Sequence, residues 1–121
     1  MALPLLIVDD SAMSRKLTLR ALPPDWDVEI TQACDGREAL ACYREGKAHI
    51  MLLDLTMPVM DGFQVLETLH AEGMNCFVIV ISADIQPKAL ERVKQLGAMA
   101  FIPKPVSKEE LARVLKEFGI L

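Results

Sequence analysis

Five positions in this chain carry groups suited to handling a phosphoryl group, and all lie just past short apolar runs. Asp9 and Asp10 follow Leu5–Val8, Asp54 follows Ile50–Leu53, Ser82 follows Phe77–Ile81, and Lys104 comes soon after Met99–Ile102. Three carboxylates drawn together repel strongly unless one is protonated or a cation sits among them. Hard oxygen ligands with positions left open for water suit Mg²⁺ or Mn²⁺ better than Zn²⁺. A carboxylate can also act as a nucleophile and take a phosphoryl group as an aspartyl phosphate. The Ser82 hydroxyl, the Ala83 backbone N–H and the Lys104 ammonium would then supply donors to the phosphoryl oxygens. The chemistry these residue types predict is metal-assisted phosphoryl acceptance, provided the fold brings the positions to one place.

The elements that must do this can be read from the apolar patterning. The four apolar runs suit strands covered on both faces, as strands of parallel sheets are. Asp27–Thr31 instead alternates Val28 and Ile30 with Glu29 and Thr31, the pattern of an exposed edge strand. Helices are predicted between the runs. The first, Ala12 to Leu22, carries Met13, Leu17 and Ala21 as a core stripe and is closed by Pro23 and Pro24. The second opens at Asp35 and Glu38, packs Ala39, Leu40 and Tyr43, and stops at Gly46. A third opens at Asp61 and Gln64 and ends near Gly73, and a fourth covers Pro87 to Leu96. In the last, Ser107 and Glu110 have capping-box spacing, and Leu111, Val114, Leu115 and Phe118 form the apolar stripe.

Five β-α repeats imply an α/β fold, a mainly parallel five-stranded sheet with helices on both faces and right-handed crossovers. Of the two common strand orders, 3-2-1-4-5 calls for a glycine-rich loop after strand 1, where this chain has Asp9-Asp10-Ser11. The order 2-1-3-4-5 places the alternating segment at the edge, and its switch point lies between strands 1 and 3. Ligand sites form at the carboxyl ends of strands beside that point, which is where Asp9, Asp10 and Asp54 fall.

Composition bounds the rest. A chain of 121 residues, 52% hydrophobic and 25% charged, is read as one domain spanning 1–121. It would bury about two thirds of its unfolded surface. A net charge of −4 argues against a nucleic-acid or anionic-membrane partner and for proteins or cations. The apolar stretch from Met1 stops at Val8, too short for a signal peptide or a membrane span. Cys34, Cys42 and Cys76 form no CxxC pair, so buried reduced thiols and a cytoplasmic setting are expected. His49 and His70 lack metal-ligand spacing and are read as solvated or structurally bonded. Trp26 is read as packing the approach to the edge strand.

Taken together, Asp9-Asp10, Asp54 followed by Met57-Pro58-Val59-Met60-Asp61-Gly62, Ser82-Ala83 and Lys104-Pro105 resemble the CheY-like receiver domain of two-component response regulators. The resemblance covers roughly Leu5 to Phe118 and implies the flavodoxin-like strand order 2-1-3-4-5 with five helices. It implies that Asp54 is phosphorylated by a sensor histidine kinase or phosphotransfer protein. Asp10 and Asp54 would hold Mg²⁺ (or Mn²⁺), with Asp9 acting through water and the Thr56 backbone carbonyl completing the protein ligands. Lys104, Ser82 and the Ala83 N–H would contact phosphoryl oxygens, Phe101 would be the switch aromatic, and the Lys104–Pro105 bond would be cis. Such a receiver is a phosphoacceptor regulator, catalysing only its own phosphoryl transfer and slow autodephosphorylation. It would signal to a downstream effector protein or an attached output domain, with chemotaxis a candidate pathway.

Three other readings compete. A flavodoxin-like FMN carrier would need a hydroxyl- and glycine-rich phosphate cradle after strand 1, where two aspartates would repel the phosphate. An aspartyl-nucleophile metal phosphatase would use Asp54, but such enzymes usually carry an acidic residue two positions later, where Thr56 stands. A receiver cut from the N-terminus of a longer multidomain regulator shares all the chemistry and differs only in its output.

Overall fold

The computed structural model describes residues 2–121; Met1, where the apolar start was counted from, lies outside them. The order is β1 (Leu3–Val8), α1 (Ala12–Ala21), β2 (Val28–Ala33), α2 (Gly36–Arg44), β3 (Ile50–Leu53), α3 (Gly62–Ala71), β4 (Phe77–Ser82), α4 (Pro87–Gln95), β5 (Ala100–Pro103) and α5 (Lys108–Glu117). All pairings are parallel and the sheet order is β2-β1-β3-β4-β5. The expected α/β architecture is therefore present, with the alternating segment at the edge.

Side chains of each central strand alternate between two cores. Leu6, Val8, Met51, Leu53, Val78 and Val80 pack on the side of α2, α3 and α4. Leu5, Ile7, Ile50, Leu52, Ile79 and Ile81 pack on the side of α1 and α5. Near-continuous apolar runs are thus what two-sided burial demands. Helix starts are capped as their residues dictate: Asp35, Asp61 and Ser107 accept the N–H three residues on, and Asp61 with Gln64 completes a reciprocal capping box. Gly46 and Gly73, both at positive φ, turn the chain out of α2 and α3. No helix among the described residues is long and apolar enough to cross a membrane.

Three local expectations are corrected. In α1, Met13 is 64% and Leu17 45% exposed, while Thr18 and Ala21 are buried. The helix turns its short side chains inward. Phe118 is 44% exposed because α5 ends at Glu117, one turn past the buried Leu111, Val114 and Leu115. On β2, Ile30 lies beside Leu5 on the α1/α5 face and is 41% exposed, in keeping with an exposed edge strand. The three cysteines are free as expected but not fully buried, and Cys34 is exposed at the end of the edge. Trp26, by contrast, packs beside the α1/α5 core as anticipated.

This division makes a direct contrast testable by urea denaturation. Met13→Ser should change unfolding free energy by less than about 0.5 kcal/mol, as for a surface site. Leu111→Ala should lose about 3 kcal/mol, as for a fully buried leucine.

Candidate functional site

Strand pairing itself assembles the site. The β1–β2 ladder continues past β1 as Asp9 N–H donates to the Ala33 carbonyl (3.1 Å), and Asp54 N–H donates to the Val8 carbonyl (2.9 Å). Ser82 is the last residue of β4, and Lys104 N–H donates to its carbonyl (2.9 Å). Four elements distant in sequence therefore end side by side at the carboxyl edge, around the β1/β3 switch point.

Each of Asp9, Asp10 and Asp54 offers a carboxylate oxygen within 4.8 Å of the others. Asp9 and Asp54 are buried and Asp10 is exposed. Lys104 Nζ lies 2.8 Å from Asp9 Oδ2 and 3.5 Å from Asp54 Oδ1. The two buried carboxylates differ in how fully they are engaged. Asp9 Oδ1 accepts from the Ser11 N–H (2.9 Å), and its Oδ2 accepts from the Ser14 hydroxyl and from Lys104. Asp54 Oδ1 accepts from the Leu55 N–H (2.9 Å), but among the described residues no hydrogen bond reaches Oδ2. Among the described residues no buried side-chain polar atom lacks a partner, so Asp54 Oδ2 is reached by solvent.

The proton affinities follow from these contacts. Burial pushes the Asp9 carboxyl up, but hydrogen bonds from Lys104, Ser14 and the Ser11 N–H outweigh it and hold the group below its ordinary value. Burial also pushes Asp54 up; Lys104 opposes this, the Asp9 charge reinforces it, and the net result is raised. For Lys104, burial pulls downward, and the Asp9 hydrogen bond with the two carboxylate charges more than compensates, so its pKa is raised.

The loop after β3 is held by backbone contacts too close for larger residues. Gly62 N–H donates to the Leu55 carbonyl (2.9 Å), and a Cβ on Gly62 would collide with the Asp54 carbonyl oxygen. A Cβ on Gly36 would come within 2.5 Å of the Met60 carbonyl oxygen. Between them, Met60 N–H closes on the Pro58 carbonyl (2.7 Å), with Val59 at φ 69° and 70% exposed. This tight turn forces a β-branched residue into a strained conformation.

The sequence-predicted residues thus come together, with distinctions. Ser82 is buried, and its hydroxyl accepts the Asp84 N–H (3.1 Å). Ala83 and Thr56 are exposed at the rim. Phe101 is half-buried on the α4 side of the sheet, lining a cavity of about 400 Å³ with Leu90, Val93 and Met99. The Lys104–Pro105 peptide is cis. Sequence reasoning missed Ser14 and Arg15, which reach Asp9 from the first turn of α1; the available signal was their place just inside a helix that begins beside the aspartates. A further group of possible metal ligands, Cys34, Asp35 and Glu38, is occupied at the start of α2. There Asp35 caps the helix and Glu38 accepts the Cys34 N–H.

A doubly wound sheet whose switch-point edge joins three carboxylates, a lysine and a serine defines the class of phosphoryl-receiving signalling domains. The response regulator receiver domain profile matches residues 5–116, and the chain belongs to that family. It is 36% identical over 116 residues to the chemotaxis protein CheY of Listeria monocytogenes, covering 95% of this chain and 97% of that one. It is 40% identical over 109 residues to a protein-glutamate methylesterase/protein-glutamine glutaminase of Moorella thermoacetica, covering 88% of this chain but only 26% of the relative. The chain thus spans about a quarter of that enzyme's length. Among solved structures, the CheX-CheY-BeF3-Mg²⁺ complex of Borrelia burgdorferi matches with TM-score 0.85 and 33% identity, over 96% of this chain and 89% of that one. The fold class and family expectations are met: the chain is a receiver domain of the response regulator family.

Two outcomes test the site's energetics. Asp54 binds its proton more tightly in the folded state than in the unfolded one, so its contribution to stability falls as pH rises from the ordinary carboxylate range through the raised folded value. Without metal at pH 7, Asp54→Asn should therefore melt higher, by about 4 °C for a gain of about 1 kcal/mol, with the difference shrinking at acid pH. Gly62→Ala should cost about 2 kcal/mol in denaturant titration, because backbone rather than a flexible side chain must yield.

Proposed function

We propose that residues 1–121 form one receiver domain in which Asp54 accepts a phosphoryl group from a sensor histidine kinase or phosphotransfer protein. The observation that carries this reading is the bare Oδ2 of Asp54, the one oxygen of the two buried carboxylates that accepts no hydrogen bond among the described residues. An oxygen lone pair there attacks phosphorus, an O–P bond forms, and the bond to the donor's leaving group breaks with its electron pair going to that group. Lys104, already beside Asp54 Oδ1, faces the negative charge that builds up on the phosphoryl oxygens. Ser82 and the Ala83 N–H are the remaining donors on the β4 side.

The three clustered carboxylates, one exposed and two buried, fit a hard divalent cation. Asp10 and Asp54 would hold Mg²⁺ or Mn²⁺ directly, Asp9 through water, and the Thr56 carbonyl would complete the protein ligands. The ion would supply neutralisation of phosphoryl charge. Asp9 suits the indirect role, since both its oxygens are engaged by protein donors. Thr56 two positions after Asp54 offers no carboxyl to protonate a leaving group, which favours a regulator that transfers only to itself over a phosphatase.

The name of the CheY relative favours a chemotaxis pathway, and the two kinds of relative leave a separate effector protein and an attached output domain as the two forms of output. Free cysteines suit a reducing cytoplasm. The test is intact-mass spectrometry after incubation with a small-molecule phosphodonor. One phosphoryl group should be added only when Mg²⁺ or Mn²⁺ is present, and none in Asp54→Asn; equal labelling of that variant sinks the assignment.

The same reading assigns Ser82 and Phe101 to the switch. Drawing the Ser82 hydroxyl toward a phosphoryl group would break its contact with the Asp84 N–H and let Phe101 turn inward. Binding of a partner, or self-association, should respond to a phosphoryl mimic in wild type and respond less in Ser82→Ala and Phe101→Ala. An equal response in all three removes the coupling while leaving the phosphorylation chemistry intact.

A further inference from the structure

We propose that Arg15 is a positioning residue that fixes the peptide between the two N-terminal aspartates and thereby sets the site's affinity for its divalent cation. The inference rests on the reading of Asp9, Asp10 and Asp54 as a cation site and names what holds it in shape. The other cations of α1, Lys16 and Arg20, are exposed, whereas Arg15 is half-buried. It makes no ion pair with any carboxylate among the described residues. Instead, its Nη1 donates to the backbone carbonyl of Asp9 (2.7 Å), and its Nε donates to Gln32 Oε1 (2.9 Å) on the edge strand.

The carbonyl it holds belongs to the same peptide plane as the Asp10 N–H. That plane fixes the Asp10 N–Cα axis, because ω is fixed and only φ remains between the plane and Cβ. Asp10 itself is exposed, and its side chain takes part in no hydrogen bond among the described residues. Backbone placement is therefore what the protein supplies toward its position. Asp9 is held at its carboxylate by Ser14 and at its carbonyl by Arg15, consecutive residues of one helical turn. Gln32 in turn orients the guanidinium, since Nε and Nη1 point to different acceptors and a rigid fork can satisfy both at once.

Positioning and simple electrostatics predict opposite signs, which makes the assignment testable. A cation near a divalent-ion site repels the ion, so if Arg15 acted only through its charge, Arg15→Ala would bind Mg²⁺ more tightly. If it holds the ligands in place, the variant binds more weakly, by about 10-fold, the lower range for loss of an outer partner of a metal ligand.

Isothermal titration calorimetry of Mg²⁺ into the unphosphorylated protein reads this directly, beside the Mg²⁺ dependence of phosphorylation. Arg15→Ala and Arg15→Lys should both be weakened, because lysine keeps the charge without the fork. Gln32→Ala should fall between them and wild type. Unchanged or tighter binding in Arg15→Ala overturns the proposal, as does full affinity in Arg15→Lys. If Arg15→Ala does not fold, Arg15→Lys and Gln32→Ala decide by the same criterion. Failure of wild type to bind Mg²⁺ or Mn²⁺ overturns the cation reading itself, and this inference with it, a result distinct from altered binding in the variants alone.

Discussion

Two carboxylates buried at neighbouring strand ends would drive each other apart or take up a proton, and the ammonium of Lys104 is what offsets that repulsion. It comes from residue 104 to meet residues 9 and 54, so the compensation exists only when the whole sheet is assembled. The balance is uneven by construction. Asp9 takes the closer contact with Lys104 and two further donors, and is held as a stable anion. Asp54 takes the longer contact, feels the charge of Asp9, and keeps one oxygen open. Three carboxylates against one ammonium leave the cluster with excess negative charge, which lies nearest the less engaged Asp54 and the exposed Asp10.

Backbone packing, not side-chain bulk, holds this arrangement to tight tolerances. The chain after Asp54 folds back so that Gly62 lies against the Asp54 carbonyl and Gly36 against the Met60 carbonyl. The loop carrying Thr56 is thereby pinned at one end to β3 and at the other to the start of α2. Strain at Val59 is tolerated because both ends are fixed by hydrogen bonds from glycine N–H groups.

Helix α4 is held differently from its neighbours. It buries only Ala89 and Val93, its N-cap Gln86 makes no side-chain cap bond, and Arg92 ties it to α3 by ion pairing with Glu67 and by lying 4.6 Å over the Phe63 ring. The cavity lined by Phe101 also draws Leu90 and Val93 from this helix, so its packing against β5 is incomplete.

Sequence alone determined the strand order, the edge strand, the helix caps and the positions of the acidic, hydroxyl and lysine groups. Two-sided burial writes itself as apolar runs, and strand ends at a switch point are where polar residues can follow such runs. What it left undecided was orientation. The rotation of α1 that exposes Met13 and Leu17 and turns Ser14 and Arg15 onto Asp9 depends on how closely the helix approaches the sheet, a property of packing between elements rather than of spacing along one. The asymmetry between Asp9 and Asp54 is likewise invisible in a string of letters. Both are aspartates following apolar runs; only the placement of Lys104, Ser11 and Ser14 around one of them leaves the other with an oxygen that no donor among the described residues reaches.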